Sequence, residues 1–484
     1  MRIFFILLTF IPQFVFAQQT SEGNLLGQWS DPALVGSNAY DNTYNEVWGV
    51  ARNGHEYAIL GSTAGTHFID VTDPANPTEA FFIEGAATGG AIIHRDYHDY
   101  GDYLYAVADE GLSTLQILDL SALPDSLPVL YDSFQLLTKA HNIFIDSTQA
   151  MLYCFATKGG AQAYSALRLY SIADPLQPEF VGEYNQFSTL TVGHVHDGFV
   201  RDGIAFLNCG NDGFAIVDFN DPANPVTKSI LTTYTQNGYN HSGWLSESCD
   251  YYYMADENHN KDIKVVDVKD ICEIEVTGTF DEGTPVSGTI PHNQVVACDY
   301  LYASYYYNGL RVYDISNPAE PELAMFYNTS SVDLRNSYEG AWGVYPFLPS
   351  GNILVSDMQE GLFVIEGMAD ACTSTAATPQ SQCAIDCGAA TSTADLRKDV
   401  ERVQLSPQPA QDVLTIELTL KQSQQNVNVD ILDINGREVA RLGTYNFLAT
   451  KNQERVTLPS LTKGLYLLRF SNAEMQFTEK LLMN

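Results

Sequence analysis

The chain has 484 residues, a formal net charge of −35, 17% charged residues and 12% aromatics, including 28 Tyr. A field of that sign repels polyanions and excludes nucleic acid as a partner. Aromatic richness with few charges suits short strands with half-buried faces rather than amphipathic helices. The surplus of carboxylates suits an exported protein kept soluble by its charge, or one that binds divalent cations through oxygen.

Residues 1–17 begin with Arg2, continue as an apolar run from Ile3 to Phe16 and end at Ala17 before the polar Gln18-Gln19-Thr20. This pattern predicts a secretory signal peptide, too short for a stable membrane span. No later stretch is apolar for about 18 residues, so no transmembrane helix is expected in the mature protein. The eight Cys then belong to an oxidising compartment, where disulfides persist.

A six-residue pattern recurs as THFIDV ending at Val71, LQILDL at Leu120, LRLYSI at Ile172, FAIVDF at Phe219, IKVVDV at Val268, LRVYDI at Ile315 and LFVIEG at Gly367. Successive copies end 47–52 residues apart, the period of a propeller blade. Most copies end in Asp before a proline-bearing turn such as TDPANP (72–77) or NDPANP (220–225), and these residues set turn dihedrals and stop a central strand. Each copy is therefore a third strand. Outer strands such as Glu179 to Tyr184 and Glu275 to Phe280 follow, and channel-lining first strands lie roughly 20–30 residues upstream. The last unit, ending at Gly367, has no fourth strand, whereas Asn24 to Trp29 resembles one. The expected fold is all-β, with a seven-bladed β-propeller over 24–367 closed by its N-terminal strand, which leaves no long unpaired edge.

Residues 368–402 are rich in Ala, Ser and Thr and contain Cys372, Cys383 and Cys387, reading as a mobile linker with at least one local disulfide. Over 403–484 the composition changes to eight acidic and eight basic residues. Strands at Val413 to Leu418, Val427 to Ile434 and Leu465 to Phe470, separated by turn signals such as Asn435-Gly436, predict a small C-terminal β-sandwich. Of the propeller cysteines, one pair among Cys249, Cys272 and Cys298 is expected to be bridged, Cys249 with Cys272 first, although spacing leaves connectivity open. Cys154 and Cys209 read as buried thiols.

The apolar-Asp strand followed by its proline turn resembles the LVIVD-type repeat, and the arrangement over about 25–367 is similar to the choice-of-anchor B family. Ser171 in the third copy and Cys272 after the fifth depart from the pattern. LSPQPAQDVLTIEL from Leu405, VDILDINGREV from Val429 and LTKGLYLLRF from Leu461 resemble the type A sorting domain of the type IX secretion system in Bacteroidota, with Ser406-Pro407-Gln408-Pro409 replacing the usual Tyr-Pro-Asn-Pro opening. The resemblance implies Sec export, contact with the type IX machinery through 403–484, and a secreted protein or one held at the outer cell surface.

Chemistry concentrates in the first strands. Alignment places Trp48-Gly49, His98-Asp99, His141-Asn142, His196-Asp197, His241-Ser242, His292-Asn293 and Trp342-Gly343 at one position around the ring. Glu46, Asp96, His194 and Glu339 lie two residues earlier and share that side of the strand. Turns on the same face supply Asp109-Glu110, Asn211-Asp212, Asp256-Glu257 and Gln359-Glu360. This predicts a channel mouth with metal candidates His98, His141, His196, His241 and His292, and ligand-binding candidates Glu46, Trp48, His194, Asp256, Glu257, Glu339 and Trp342. Packing against the next blade is the plainer account of a repeated inner-strand His. Imidazoles converging with carboxylates also suit a divalent metal, zinc or calcium, with an open position for activated water. The sequence contains no Gly-x-Ser-x-Gly elbow, phosphate loop or His-Glu-x-x-His motif. Tyr251 to Tyr253 and Tyr305 to Tyr307 read as core tyrosines before they read as sugar platforms. The leading functional reading is a non-catalytic module binding a metal ion, glycan or protein. The alternative is a metal-dependent hydrolase or lyase acting at the channel.

Overall fold

In a computed structural model, each repeat forms the third strand of a four-stranded antiparallel sheet. The structure describes residues 20–159, 163–283, 288–332, 338–368, 385, 400–411, 413–432, 438–459, 461–472 and 476–483. The expected signal peptide and nearly all of the linker with its cysteines lie outside them. The chain divides into two compact units, Met1–Asp386 and Cys387–Asn484.

In the first unit, seven sheets run in order from an inner to an outer strand. Their first strands are Tyr44–Arg52, Arg95–Tyr100, Ile143–Asp146, Asp197–Arg201, Asn240–Leu245, Gln294–Ala297 and Ala341–Tyr345. Second and third strands are almost wholly buried, as at Ile204–Asn208 and Phe214–Asp218, while fourth strands such as Glu179–Tyr184 are largely exposed. Apolar residues of neighbouring blades share cores: Val50, Ile59 and Phe68 of blade 1, for example, cluster with Leu104 and Leu118 of blade 2.

The repeat's Asp has a local role. Oδ1 of Asp70, Asp119, Asp218, Asp267 and Asp314 accepts the backbone N–H two residues on, at 2.8–3.1 Å. Ser171, the departure in the third copy, places its hydroxyl in the same position at 3.4 Å. A short polar side chain that caps its own turn is what this position requires.

Closure is as expected. Leu25–Trp29 pairs antiparallel with Gly361–Ile365 and supplies the fourth strand of blade 7. Ser21–Glu22 adds a tie the sequence did not suggest, pairing in parallel with Glu322–Tyr327 on the edge of blade 6. Trp29 also contacts Tyr44 and His67 of blade 1, with ring centroids 6.2 and 5.2 Å away. A small hairpin, Gln186–Phe187 with Leu190–Thr191, is inserted between blades 3 and 4.

Cys249, Cys272 and Cys298 are all disulfide-bonded, more than the single pair expected, while Cys154 and Cys209 are buried free thiols. Among the described residues no helix is long and apolar enough to cross a membrane.

The second unit contains a three-stranded sheet (Val400–Ser406, Val413–Leu420, Lys451–Thr457) and a four-stranded sheet (Glu438–Phe447, Gln424–Leu432, Gly464–Ser471, Gln476–Met483) around one apolar core. The alternating burial of Val413–Leu420 is the period-two pattern of a strand with one face inward.

Candidate functional site

The starts of the first strands are irregular, and this builds the site. In blade 3, Phe155 accepts from His141 N–H and donates to Asn142 C=O, so two residues oppose one. Ser304 faces His292 and Asn293 in the same way, and Asn208 faces His196 and Asp197. The register slips between Asn240 and Ser242 in blade 5, and between Ala341 and Val344 in blade 7. A β-bulge sends consecutive side chains toward one face instead of opposite faces. His141 thus lines an outer cavity and its neighbour Asn142 an inner one.

Blade 2 has no such bulge, because Arg95 and Asp96 pair in simple register with Ala108 and Val107. Ordinary alternation then places His94, two residues before Asp96, on the channel side. His94, not His98, completes the ring. The sequence contains His-Arg-Asp and His-Asp within six residues, 94–99, and alignment on the adjacent His-Asp pair selects the wrong histidine. His98 lies in the inner cavity, 4.7 Å from Trp48 and 5.1 Å from Phe144 between ring centroids.

Going round the mouth, centroid separations are 4.2 Å for His94–His141, 4.1 Å for His141–His196, 4.0 Å for His196–His241, 4.5 Å for His241–His292, 4.7 Å for His292–Trp342 and 5.4 Å for Trp342–His94. Five imidazoles and one indole close a circle. It floors a cavity of about 440 Å³ whose walls include Tyr40, Tyr239, Tyr306, Tyr338, Glu110 and Glu257. That volume is within the range of small-ligand pockets.

The ring is electrostatically uneven. Burial, with repulsion from neighbouring imidazoles, holds His94, His196 and His241 well below the ordinary imidazole range. Burial takes His292 down to about 3. At His141 burial acts the same way but is outweighed by Asp109, whose Oδ2 lies 2.9 Å from Nδ1, and the pKa is raised. Lys139 Nζ is 2.7 Å from the other Asp109 oxygen. Glu257, pushed up by burial to about 7, accepts from Tyr306 Oη at 2.5 Å and lies 3.7 Å from His241 Nε2.

His196, His241 and Glu257 each bring a ligand atom within 4.8 Å of the others. His196 Nδ1 and Trp342 Nε1 are buried without a hydrogen-bond partner. Two imidazoles and a carboxylate are a zinc-type donor set, with a further coordination position left open.

The remaining candidates are dispersed. His194 is at the rim, with Nδ1 2.7 Å from Tyr164 Oη and its pKa lowered by burial to about 4. Asp256 is fully buried but turns into blade 5, ion-paired with Lys264 at 2.9 Å and accepting from Tyr234 at 2.8 Å. Glu339 accepts from Tyr307 at 3.3 Å and lies outside the residues lining the cavity. Glu46 and Trp48 belong to the inner cavity, where Trp48 Nε1 donates to Asp99 at 2.9 Å. The wall residues Tyr40, Tyr239 and Tyr338 come from loops with no repeat pattern, so alignment carried no signal for them. Tyr252, Tyr253 and Tyr305 are core residues, but Tyr306 faces the cavity.

Residues 404–484 match the model of the secretion system C-terminal sorting domain, and 193–233 and 294–329 match that of the LVIVD repeat. The chain carries LVIVD repeats and a type IX secretion sorting domain. Such a domain implies contact with that secretion machinery and export to the cell surface or beyond it. Among curated proteins none matches the chain. Similar solved structures include the β-propeller domain of Myceliophteria thermophila Cps50 (Swd1), 12% identical with a TM-score of 0.46 over 71% of this chain and 98% of that one. A Lactobacillus plantarum protein is 11% identical with a TM-score of 0.45 over 86% and 98%. PorZ, a surface component of the type IX secretion system of Porphyromonas gingivalis, is 10% identical with a TM-score of 0.41, and this chain covers 61% of it. The blades themselves, rather than these distant likenesses, establish the propeller.

Proposed function

We propose that this LVIVD-repeat propeller is an exported binding module that holds a divalent transition metal, zinc first, between His196, His241 and Glu257 at the channel mouth. The ion's open position then faces a small ligand in the tyrosine-walled cavity. The observation that carries this reading is the convergence of those three donors within 4.8 Å. Zinc bonds of about 2.0–2.1 Å put tetrahedral ligands about 3.4 Å apart, and the 3.7 Å between His241 Nε2 and Glu257 Oε2 is already close to that spacing. The low pKa values of His196 and His241 suit them further, because a metal takes neutral imidazole. Tyr40, Tyr239, Tyr306 and Tyr338 offer aromatic faces to a glycan or to a side chain of a protein ligand.

The pairing of these repeats with a sorting tail fits the choice-of-anchor B arrangement, with Sec export, type IX translocation and removal of the tail. One observation favours a second reading as a metal-dependent hydrolase or lyase. Asp109, 2.9 Å from Nδ1, raises the pKa of His141, whose ring lies 4.1 Å from that of His196, so that His141 is the imidazole of the ring best placed to supply a proton as a general acid, while a metal held by His196, His241 and Glu257 would supply Lewis acidity.

The test is metal analysis of purified protein against a variant carrying His196→Ala and His241→Ala. About one equivalent of zinc per chain, absent from the variant, is the expected result. Unchanged metal content in the variant overturns the reading.

A further inference from the structure

The floor of the mouth cavity is imidazole, but one side of it is a continuous aromatic wall. From Trp342 the rings run to Tyr306 at 6.3 Å, then to Tyr338 at 5.5 Å and to Tyr40 at 5.9 Å between centroids. Each is turned from the one before it, by 86°, 63° and 86°. Parallel rings would give a flat platform of the kind on which a guanidinium plane stacks, whereas turned rings that line one cavity present faces to it from several directions.

Packing holds the wall in place. Tyr306 and Trp342 are 1% and 6% exposed and cluster with Ile290 and Met358, with Tyr40 and Tyr338 half-buried against them. The Tyr306 hydroxyl is committed to Glu257, which fixes its ring. Around the floor, His292 separates Trp342 from the donor imidazoles His241 and His196. The wall and those donors therefore occupy different sectors of the mouth.

The charge of the lining has one sign. Besides histidines it contains Glu110 and Glu257, and among the described residues no Lys or Arg lines it. Glu110 is anchored through Oε2, which accepts the N–H groups of Ile93 and His94 at 2.9 and 3.0 Å. Lys139 lies outside the lining and is paired with Asp109. The whole chain adds 59 Asp and Glu against 24 Lys and Arg, a field that draws cations toward the site.

A ring face attracts a cation held within about 6 Å of its centroid. The gain is greatest for a cation that gives up little hydration, and a compact, strongly hydrated ion gives up most. A quaternary ammonium spreads its charge over methyl groups and carries no N–H that would need an acceptor. Its rounded head suits faces turned in different directions.

From this wall we infer that the mouth takes a ligand with a quaternary ammonium head, of the choline type, seated against Tyr40, Tyr306, Tyr338 and Trp342 with Glu110 as counter-charge in the same cavity. This names the class of the small ligand in the proposed function and rests on that part of the reading, but it does not need the ion.

The test is calorimetric titration of choline into the full chain after treatment with a chelator, beside choline's uncharged tert-butyl analogue, in which carbon replaces the nitrogen. Saturable binding of choline, at least about tenfold tighter than that of the analogue, is expected. Tyr338 stands half-buried in a loop; Tyr338→Leu should weaken choline binding about tenfold, and Tyr338→Phe, which keeps the ring face, less than about threefold. Absence of saturable binding, an analogue that binds as tightly, or undiminished affinity in Tyr338→Leu overturns the inference. The wild-type comparison with the analogue decides even where a variant does not fold. Because the titration is free of metal, a chain that takes zinc but not choline refutes this inference alone, and one that takes choline but not zinc refutes the metal reading alone.

Discussion

Two layers of side chains line one channel from nearly the same strand positions, and their chemistry is opposed. The mouth carries His94, His141, His196, His241, His292 and Trp342, while the inner layer carries Glu46, Asp96, Asn142, Asp197 and Asn293. Several members are sequence neighbours, such as His196-Asp197 and His292-Asn293. In a regular strand each pair would straddle the sheet, one side chain in the channel and the other in the blade. A bulge at the strand start turns both inward at different depths. In blade 7 the inner position is Gly343, where a Cβ would come within 2.0 Å of Glu46 Oε1, so a glycine there leaves room for the carboxylate. The lesson is that one backbone irregularity, repeated around a ring, separates soft nitrogen donors from hard oxygen donors within a single channel.

The largest expected effect tests whether the layers are independent. His196→Ala should weaken zinc binding by more than about 100-fold, measured by chelator competition, while Asp197→Asn leaves it within about threefold. Equal losses would merge the two layers into one site. Next, Gly343→Ala should destabilise the propeller by about 1–3 kcal/mol through overpacking against the anchored Glu46, read from denaturant unfolding. A neutral result would mean the inner layer is loosely held.

The layers should also pull pH dependence in opposite directions. Glu46 and Asp197 have folded pKa values of about 8 and about 6, above their unfolded values. The folded state therefore holds extra protons, and metal-free stability falls as pH rises from about 4 to about 8. His94, His196 and His241 are lowered, with His292 at about 3. For them the unfolded state takes up protons first, and stability falls as pH drops below about 6.5. The thermal midpoint should decline on both sides of a maximum. Glu46→Gln should flatten the alkaline side, because its folded pKa is the one near 8, and His196→Asn the acid side; the reverse assignment would break the comparison. The smallest effect is local. Asp109→Asn should lower the NMR titration midpoint of His141, because the partner that outweighs burial is lost, with little change in global stability.

Much of this was legible in the chain. The spacing of the repeat copies, their terminal Asp and the unpaired strand at Asn24 to Trp29 predicted seven blades and their closure, because period-two patterning and turn chemistry are local properties. His141, His196, His241, His292 and Trp342 were legible as one register for the same reason. His98 was selected over His94 because an alignment counts residues, whereas a bulge alters which residues face the channel. Asp256 ends the strand Tyr251–Asp256 and Glu257 follows it directly, yet one turns into blade 5 to meet Lys264 and the other enters the cavity.

By itself, then, the sequence determined the blade count, the closing strand, the sorting tail and the identity of most ring histidines, all of which follow from local periodicity and short motifs. Only the tertiary structure decided which histidine completes the ring, which acids reach it, and that a second, oxygen-lined chamber lies beneath it. Those outcomes depend on strand bulges and on contacts between blades 50 and 247 residues apart in the chain, where hydrogen-bond register rather than composition sets the direction of a side chain.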